Sequence, residues 1–510
     1  MAHVLTSEGT SGIIELRGSG VSETYAPDND LNQALELLFA LYEIKNTQGS
    51  RLQDNYHLEG FNWLSTQVGN LYWRWLFRLV QYGPLLQRFE SGEFSPHFRN
   101  KLNLGRIWEV LNPERKGLFK RLKASWIYDR TLGHHNQQIA QNLSGKMLFY
   151  RYGPTDFRTR EMLSHFEDRD AKFSFVYSPS KRLLQDRNKQ PHPVYFLHRK
   201  RPVERLFHNE YDLSQFSPWM QSALTRVIAR AEEQMSFAVW EYRRHVQDLS
   251  PNPPKLLFGL EDHQEIFPLL YACRTLGVPS IGYQFSMYAR RQAAYTFEGW
   301  KPGEYDGFDN VITWGPYWEK VIRKWSQVYP QGYYLPGANK HSYGYKRLKS
   351  DKFNPRNILV PYEFWGNTRR IGQYMVKLMD RGYTVYFKFK PDERPQRQLD
   401  CYELPEDYRS RVIEVFDITD ELMAEINIVA GGMTTLLYDL LPYGKHTWVL
   451  DTEFTLLDDL VEDGWAEKIS YEALDTMPTP KKADIQKDWN EMFSRTPLAE
   501  VLDEHVLNKL

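Results

Sequence analysis

Two stretches of this chain alternate short apolar runs with amphipathic helical segments, and that alternation limits the fold more than any other feature. In the first stretch MLFYRY, KFSFVYS and PVYFLH precede a long helical region at about 217–247. KLLFGL, the helix EIFPLLYACRTLG, VPSIGYQ, NVITWG and the helix PYWEKVIRKWSQV follow. The pattern restarts after a Tyr/Gly/Lys-rich link at about 337–354. Here NILVPY, YTVYFKFK, RVIEVF, NIVAGG and HTWVLD read as strands, and GNTRRIGQYMVKLMDRG, ITDELMAEI and MTTLLYDLLPYG as the helices between them. Strands separated by helices at this spacing form parallel sheets, because a parallel pair needs a crossover connection. The chain has 510 residues, too many for one hydrophobic core. We therefore expect an α/β protein with one domain at 144–338 and another at 350–470. A mainly helical region, 1–143, precedes them, and a helical tail, 471–510, follows.

Composition narrows the class further. A formal net charge of −1 provides no global field for nucleic acid. Two cysteines, Cys273 and Cys401, cannot build a disulfide framework, which favours a reducing compartment. The start, MAHVLTSEGTSG, lacks a basic segment followed by an apolar core, so no secretory leader is expected. No uncharged apolar run approaches the roughly 18–20 residues of a membrane span. Aromatic residues make up 15% of the chain, enough to expect an aromatic-rich core. Within the helical lead, Gln67, Asn70, Arg74, Arg78 and Gln81 recur at spacings of three and four. They form a narrow polar stripe on an otherwise aromatic helix that Pro84 is expected to end.

Three segments could carry chemistry. In NIVAGGMTTLLYDLLPYG a strand runs into Gly431 and Gly432, and a helix is expected to open at Met433, Thr434 and Thr435. Glycines admit a ligand close to the backbone, and unpaired N–H groups with two hydroxyls suit a phosphate. Asp439 follows about one turn on, within reach of a ribose or sugar hydroxyl. In VYFKFKP, alternation puts Lys388 and Lys390 on one face at the C-terminal end of a strand, where open α/β sheets bind ligands. After KLLFGL come Glu261, Asp262, His263 and Glu265. Such groups can take a proton from an acceptor hydroxyl. Asp262 is the expected base, with Glu261 and His263 behind it and Asp156, in YGPTDF, as a further candidate. The same residues also fit plainer roles: a threonine-capped turn, solvated lysines, and acidic residues at a helix start.

The order of these segments resembles the donor domain of two-domain bacterial glycosyltransferases of the GT-B type. That group includes Kdo and CMP-sialic acid transferases and the glycerol-phosphate polymerases of teichoic acid. Their "Lys-x-His-Pro" reads here Lys388-Phe389-Lys390-Pro391, and their "Gly-x-Ser-Ser/Thr-x-x-x-Glu" runs from Gly431 to Asp439. Lys390 stands in place of histidine and Asp439 in place of glutamate. The "Gln-His-Gly" at the end of an acceptor-side strand is represented by Gln284 alone, followed by Phe285 and Ser286. The resemblance spans about 255–465, and residues 1–143 match no named family.

What the resemblance implies is two facing Rossmann-like domains and a metal-independent glycosyltransferase without a cofactor. Its donor would be a nucleotide-sugar, with a leaning toward a CMP-linked one. The donor would lie on Lys388, Lys390, Gly431, Gly432, Met433, Thr434, Thr435 and Asp439, and the acceptor side would include Gln284 and Glu265. A surface polysaccharide or glycolipid acceptor fits such an enzyme, at the inner face of a cytoplasmic membrane reached through about 66–83. Glycerol-phosphate or sugar-phosphate transfer, sugar-nucleotide epimerisation, and a degenerate binding or scaffolding role are the alternatives. The spacing of His, Cys and acidic residues shows no metal motif.

Overall fold

The computed structural model describes residues 31–92, 131–198, 203–261, 264–335, 337, 350–363, 367–390, 396–452, 455–483 and 489–510, with the pairs 14–15 and 24–25. The amphipathic basic stretch GLFKRLKASWIY at 117–128, which could extend the expected membrane-facing surface, lies outside them.

Two parallel sheets dominate. The first contains β1 (Met147–Tyr150), β2 (Phe173–Tyr177), β3 (Val194–Phe196), β4 (Leu256–Leu260), β5 (Ser280–Tyr283), β6 (Asn310–Ile312) and β7 (Tyr334–Leu335). Their spatial order is β7-β6-β5-β4-β1-β2-β3, and every pairing is parallel. The second contains β8 (Asn357–Pro361), β9 (Thr384–Lys388), β10 (Ile413–Val415), β11 (Ile428–Gly431), β12 (His446–Leu450) and β13 (Glu467–Ile469). They run in the order β10-β9-β8-β11-β12-β13, again all parallel. Both orders start in the middle, wind to one edge, return and wind to the other. This is the doubly wound Rossmann pattern, with its switch point between β1 and β4 in one domain and between β8 and β11 in the other. The central strands are buried on both faces: MLFY of β1, LLFGL of β4 and NILVP of β8 are buried at every position. Continuous apolar runs of this kind are what a strand covered by helices on both sides requires.

The 32-residue helix Pro218–Leu249 connects β3 to β4 in the first domain. It packs against Phe267–Thr275 and against the helical lead. That lead holds Leu31–Glu43, a 3-10 turn at Trp63–Gln67, a π-helical segment at Asn70–Leu76 and the helix Phe77–Glu90. Pro84 does not end the last helix, which runs six residues beyond it to Glu90. Tertiary packing holds the turn that the missing N–H weakens: Gly83 lies under Trp219, and Glu90 accepts from the Trp219 indole at 2.8 Å. The aromatic face is core. Tyr72, Leu76 and Phe77 have no exposed surface, and Trp75 has 2%. Trp73 is half-buried and turns into the interdomain cavity. Burial of these rings against the long helix and the rest of the lead removes most of the apolar face expected to reach a membrane through 66–83, and Trp73 is the ring left partly exposed. No described helix is long and apolar enough to cross a membrane.

The C-terminal segment returns to the first domain. Asp503 accepts from His165 at 2.7 Å and from Arg169 at 2.5 Å, Met492 carbonyl accepts from the Trp318 indole at 2.9 Å, and Phe493 stacks on Trp314. Among its described residues only Leu498–His505 is a helix of two turns.

Candidate functional site

A cavity of about 1180 Å³ separates the two sheets. Its walls come from segments that leave the C-terminal ends of strands on both sides. From the first domain these are Arg158 after β1, Ser178 after β2, His198 after β3, Glu265 after β4 and Phe285 after β5. From the second they are Glu363 after β8, Lys388 and Lys390 at the end of β9, Asp417 after β10, and Met433 to Leu436 after β11. Ligand sites lie there in doubly wound sheets because the adjacent connections diverge at the switch point and open a crevice.

The structure brings together on this cavity Lys388, Lys390, Met433, Thr434, Thr435, Asp439 and Glu265. Lys390 lies just past β9, and its ammonium is pulled below the ordinary lysine range, chiefly by loss of water. Glu363 opposes that shift, and the charge of Arg158 reaches Lys390 from the other domain and adds to it. Lys388 is likewise lowered by burial, with Asp417 opposing, and donates to the carbonyl of Phe389. Arg158 carries no sequence signal beyond its place after the first strand. It is held by Asp156 at 2.8 Å and lies 4.1 Å from the centre of the Phe285 ring.

Five sequence expectations are corrected. Gly431 and Gly432 do not face a ligand, and the carboxylate of Glu363 fills the space they leave. A Cβ on Gly431 would meet Glu363 Oε1 at 2.4 Å, and one on Gly432 would meet Thr452 Oγ1 at 2.8 Å. Glu363 Oε1 accepts from the backbone N–H groups of Gly432 at 2.7 Å, Met433 at 2.9 Å and Thr434 at 3.1 Å. The donors expected to hold phosphate are thus occupied from within, and the helix behind them, Leu436–Asp439, has only four residues. Gln284 is buried and structural: it accepts from Trp314 N at 2.9 Å and donates to Ser286 O at 2.9 Å. Glu261 is buried beneath the cavity and accepts from the hydroxyl of Tyr288. Asp156 organises its own loop, accepting from Tyr152 N at 3.2 Å and from Arg158 N and Nε at 3.2 and 2.8 Å. A carboxylate engaged in this way is not open to a substrate proton. Asp262 and His263 lie outside the described residues.

Glu363 is the group that sequence reasoning missed. Its signal was available: a lone carboxylate two residues beyond the strand NILVP. Tyr402 steadies it, accepting from Glu363 N at 3.0 Å, and Gly372 lets the chain at Tyr402 pass so closely that a Cβ there would sit 2.0 Å from the Tyr402 carbonyl. Replacing Gly431 by alanine should eject the Glu363 carboxylate and lower stability by about 2 kcal/mol, the cost of leaving buried polar groups unpaired. Urea denaturation measures this directly, and an unchanged midpoint would contradict the packing described.

The other missed wall is the helical lead. Gln67, Asn70, Trp73 and Arg74 line the cavity beside Gln234 and Glu241 of the long helix. Asn70 donates to Gln67 at 3.0 Å and to Gln234 at 3.4 Å. The first half of the polar stripe seen in the sequence, Gln67, Asn70 and Arg74, therefore faces the cavity.

No protein-family model matches the sequence, and a comparison with curated proteins found no match. Solved structures show similar architecture at low identity. MurG of Acinetobacter baumannii is 12% identical over 66% of this chain and 88% of its own, with a TM-score of 0.38. The UDP-GlcNAc 2-epimerase of Methanocaldococcus jannaschii is 9% identical over 72% and 99%, with a TM-score of 0.43. The calicheamicin glycosyltransferase CalG4 is 12% identical over 65% and 87%, with a TM-score of 0.39. At these values the likeness says nothing about the site, whose reading rests on its own geometry.

Proposed function

We propose that this cleft binds a nucleotide-activated sugar and transfers the sugar to a glycan or glycolipid acceptor, as a metal-independent glycosyltransferase. The observation that carries the reading is that Lys390 and Arg158, cations from opposite domains, line one cavity together with the hydroxyl-bearing Thr434 and Thr435. Cations held in a partly dry cleft are suited to the charge that develops on a departing nucleotide phosphate. Asp439, on the same wall, suits a ribose or sugar hydroxyl. Glu265 is the base: of the carboxylates that follow β4 it is the described one that is exposed on the cavity, with Ser178 Oγ donating to it at 3.1 Å. The size of the cavity favours transfer over epimerisation. About 1180 Å³ exceeds the usual ~300–1,000 Å³ of a pocket for one small ligand, and the amide-lined and aromatic wall of the helical lead gives an acceptor a place to lie. The leaning toward a CMP-linked donor rests on the sequence resemblance alone.

A thermal-shift panel of CMP, CDP, UDP, GDP and their sugars tests the donor reading. A ligand at about 100 times its dissociation constant should add roughly 2.7 kcal/mol. Lys390→Ala should then weaken the responding nucleotide by about 2 kcal/mol, the scale of a lost charge-assisted hydrogen bond. No response to any member, or equal affinity in the variant, would remove this reading. Product analysis with an acceptor separates transferase from epimerase.

A further inference from the structure

Three consecutive backbone N–H groups converging on one point make an anion site, and phosphate is its usual occupant in nucleotide-binding folds. Here that point holds Glu363 Oε1. Glu363 is 2% exposed, yet it lines the cavity, and its second oxygen, Oε2, is buried without a hydrogen-bond partner. A carboxylate oxygen left in that state costs free energy unless a ligand satisfies it.

We infer that Glu363 is an internal anion that closes the backbone nest of the second domain to phosphate, and that its Oε2 is the acceptor this domain offers to a hydroxyl of the bound ligand. The ligand's phosphate is then held further out, by side chains: Lys390, Lys388 and, from the facing domain, Arg158. The second part rests on the donor reading above; the first does not. Glu363 therefore selects against any binding pose that places a second anion at the switch point, because two negative groups cannot share the three N–H donors. It accepts poses that place a neutral polyol there. The neighbouring charges favour this division. Lys390 approaches Glu363 closely enough for each to shift the other's titration, and among the described residues Tyr402 is a further ionisable neighbour, its hydroxyl accepting from the backbone N–H of Glu363.

The test uses the full chain and sulfate at about pH 8, where both sulfate and the Glu363 carboxyl are ionised. Sulfate affinity is measured by calorimetry for the wild type, Glu363→Gln and Glu363→Ala. The alanine variant vacates three N–H donors and should bind sulfate at least about tenfold more tightly than the wild type, the scale of one charge-assisted contact. The glutamine variant keeps an oxygen in the nest and should bind it as the wild type does. If the alanine protein does not fold, Glu363→Ser empties the nest equally and takes its place. Equal sulfate affinity in the emptied and filled nests overturns the inference. This arm involves no nucleotide, so it stands whichever way the nucleotide panel falls. A second arm addresses Oε2: Glu363→Gln should weaken the responding nucleotide-sugar about tenfold, because a charge-assisted hydrogen bond becomes a neutral one. Its affinity for sulfate should be unchanged. Equal nucleotide-sugar affinity would leave the closed nest in place and remove the hydroxyl contact.

Discussion

Glu265→Gln is expected to leave nucleotide affinity unchanged and to lower turnover by about two to four orders of magnitude. Availability of a free oxygen singles out Glu265 among the described carboxylates near β1 and β4. A general base must reach the acceptor hydroxyl with a free oxygen. Asp156 spends both of its oxygens on Tyr152 and Arg158, and Glu261 lies under Tyr288. Glu265, in the short turn Gln264–Ile266, is exposed within the cavity and receives the hydroxyl of Ser178. Glutamine keeps the shape and the Ser178 contact and removes the basicity. Initial rates at saturating donor, with calorimetry on the same protein, separate a chemical defect from a binding one. Normal turnover would exclude Glu265 as the base, and a parallel loss of donor affinity would mean that it binds the donor instead.

The stability difference between Glu363→Gln and the wild type should change by about 2–3 kcal/mol in the variant's favour between pH 5 and pH 8. Burial pushes the Glu363 carboxyl up from its ordinary 4.5 to about 7, against the three backbone N–H groups and Lys390, which favour the ionised form. Between those two values the folded protein holds a proton that the unfolded chain has already released. Wild-type stability therefore falls as pH rises through this window, and the cost is fully present above about pH 7. Glutamine does not titrate, so its stability lacks this component. Urea denaturation of both proteins at the two pH values reads the difference between their differences, which cancels the other titrating groups. A flat difference, or one of opposite sign, would mean that Glu363 is ionised without penalty and that the nest is wetter than its burial indicates.

Gln81 shows how periodicity and packing part ways. Its spacing from Gln67, Asn70, Arg74 and Arg78 marks a polar stripe correctly, and a polar stripe ordinarily faces water. Yet Gln67, Asn70 and Gln81 are buried. Gln67, Asn70 and Arg74 face a cavity roofed by another domain and Gln81 is packed inside, and no local pattern distinguishes an interior polar surface from an exterior one. Pro84 is a similar case. Its local cost is real, but the packing around Gly83 and Trp219 outweighs it.

The sequence by itself determined the two parallel sheets. NILVP, TVYFK, IVAG and HTWVL are apolar enough to be buried on both faces, each is separated from the next by a helical segment, and such strands have few other arrangements. It likewise placed Lys388 and Lys390 at a strand end, and Thr434, Thr435 and Asp439 in the turn and helix that follow another strand, because alternation and strand direction are local properties. Only the tertiary structure decided what those ends meet. Glycines that admit a close approach read the same whether a ligand or a neighbouring strand supplies the approaching atom. Here it is Glu363, 68 positions before Gly431 in the chain, brought to the nest by the pairing of β8 with β11. Arg158 shares a cavity with Lys390 for the same reason: the two are distant in sequence, and only the facing of two sheets across one cleft puts both on its walls.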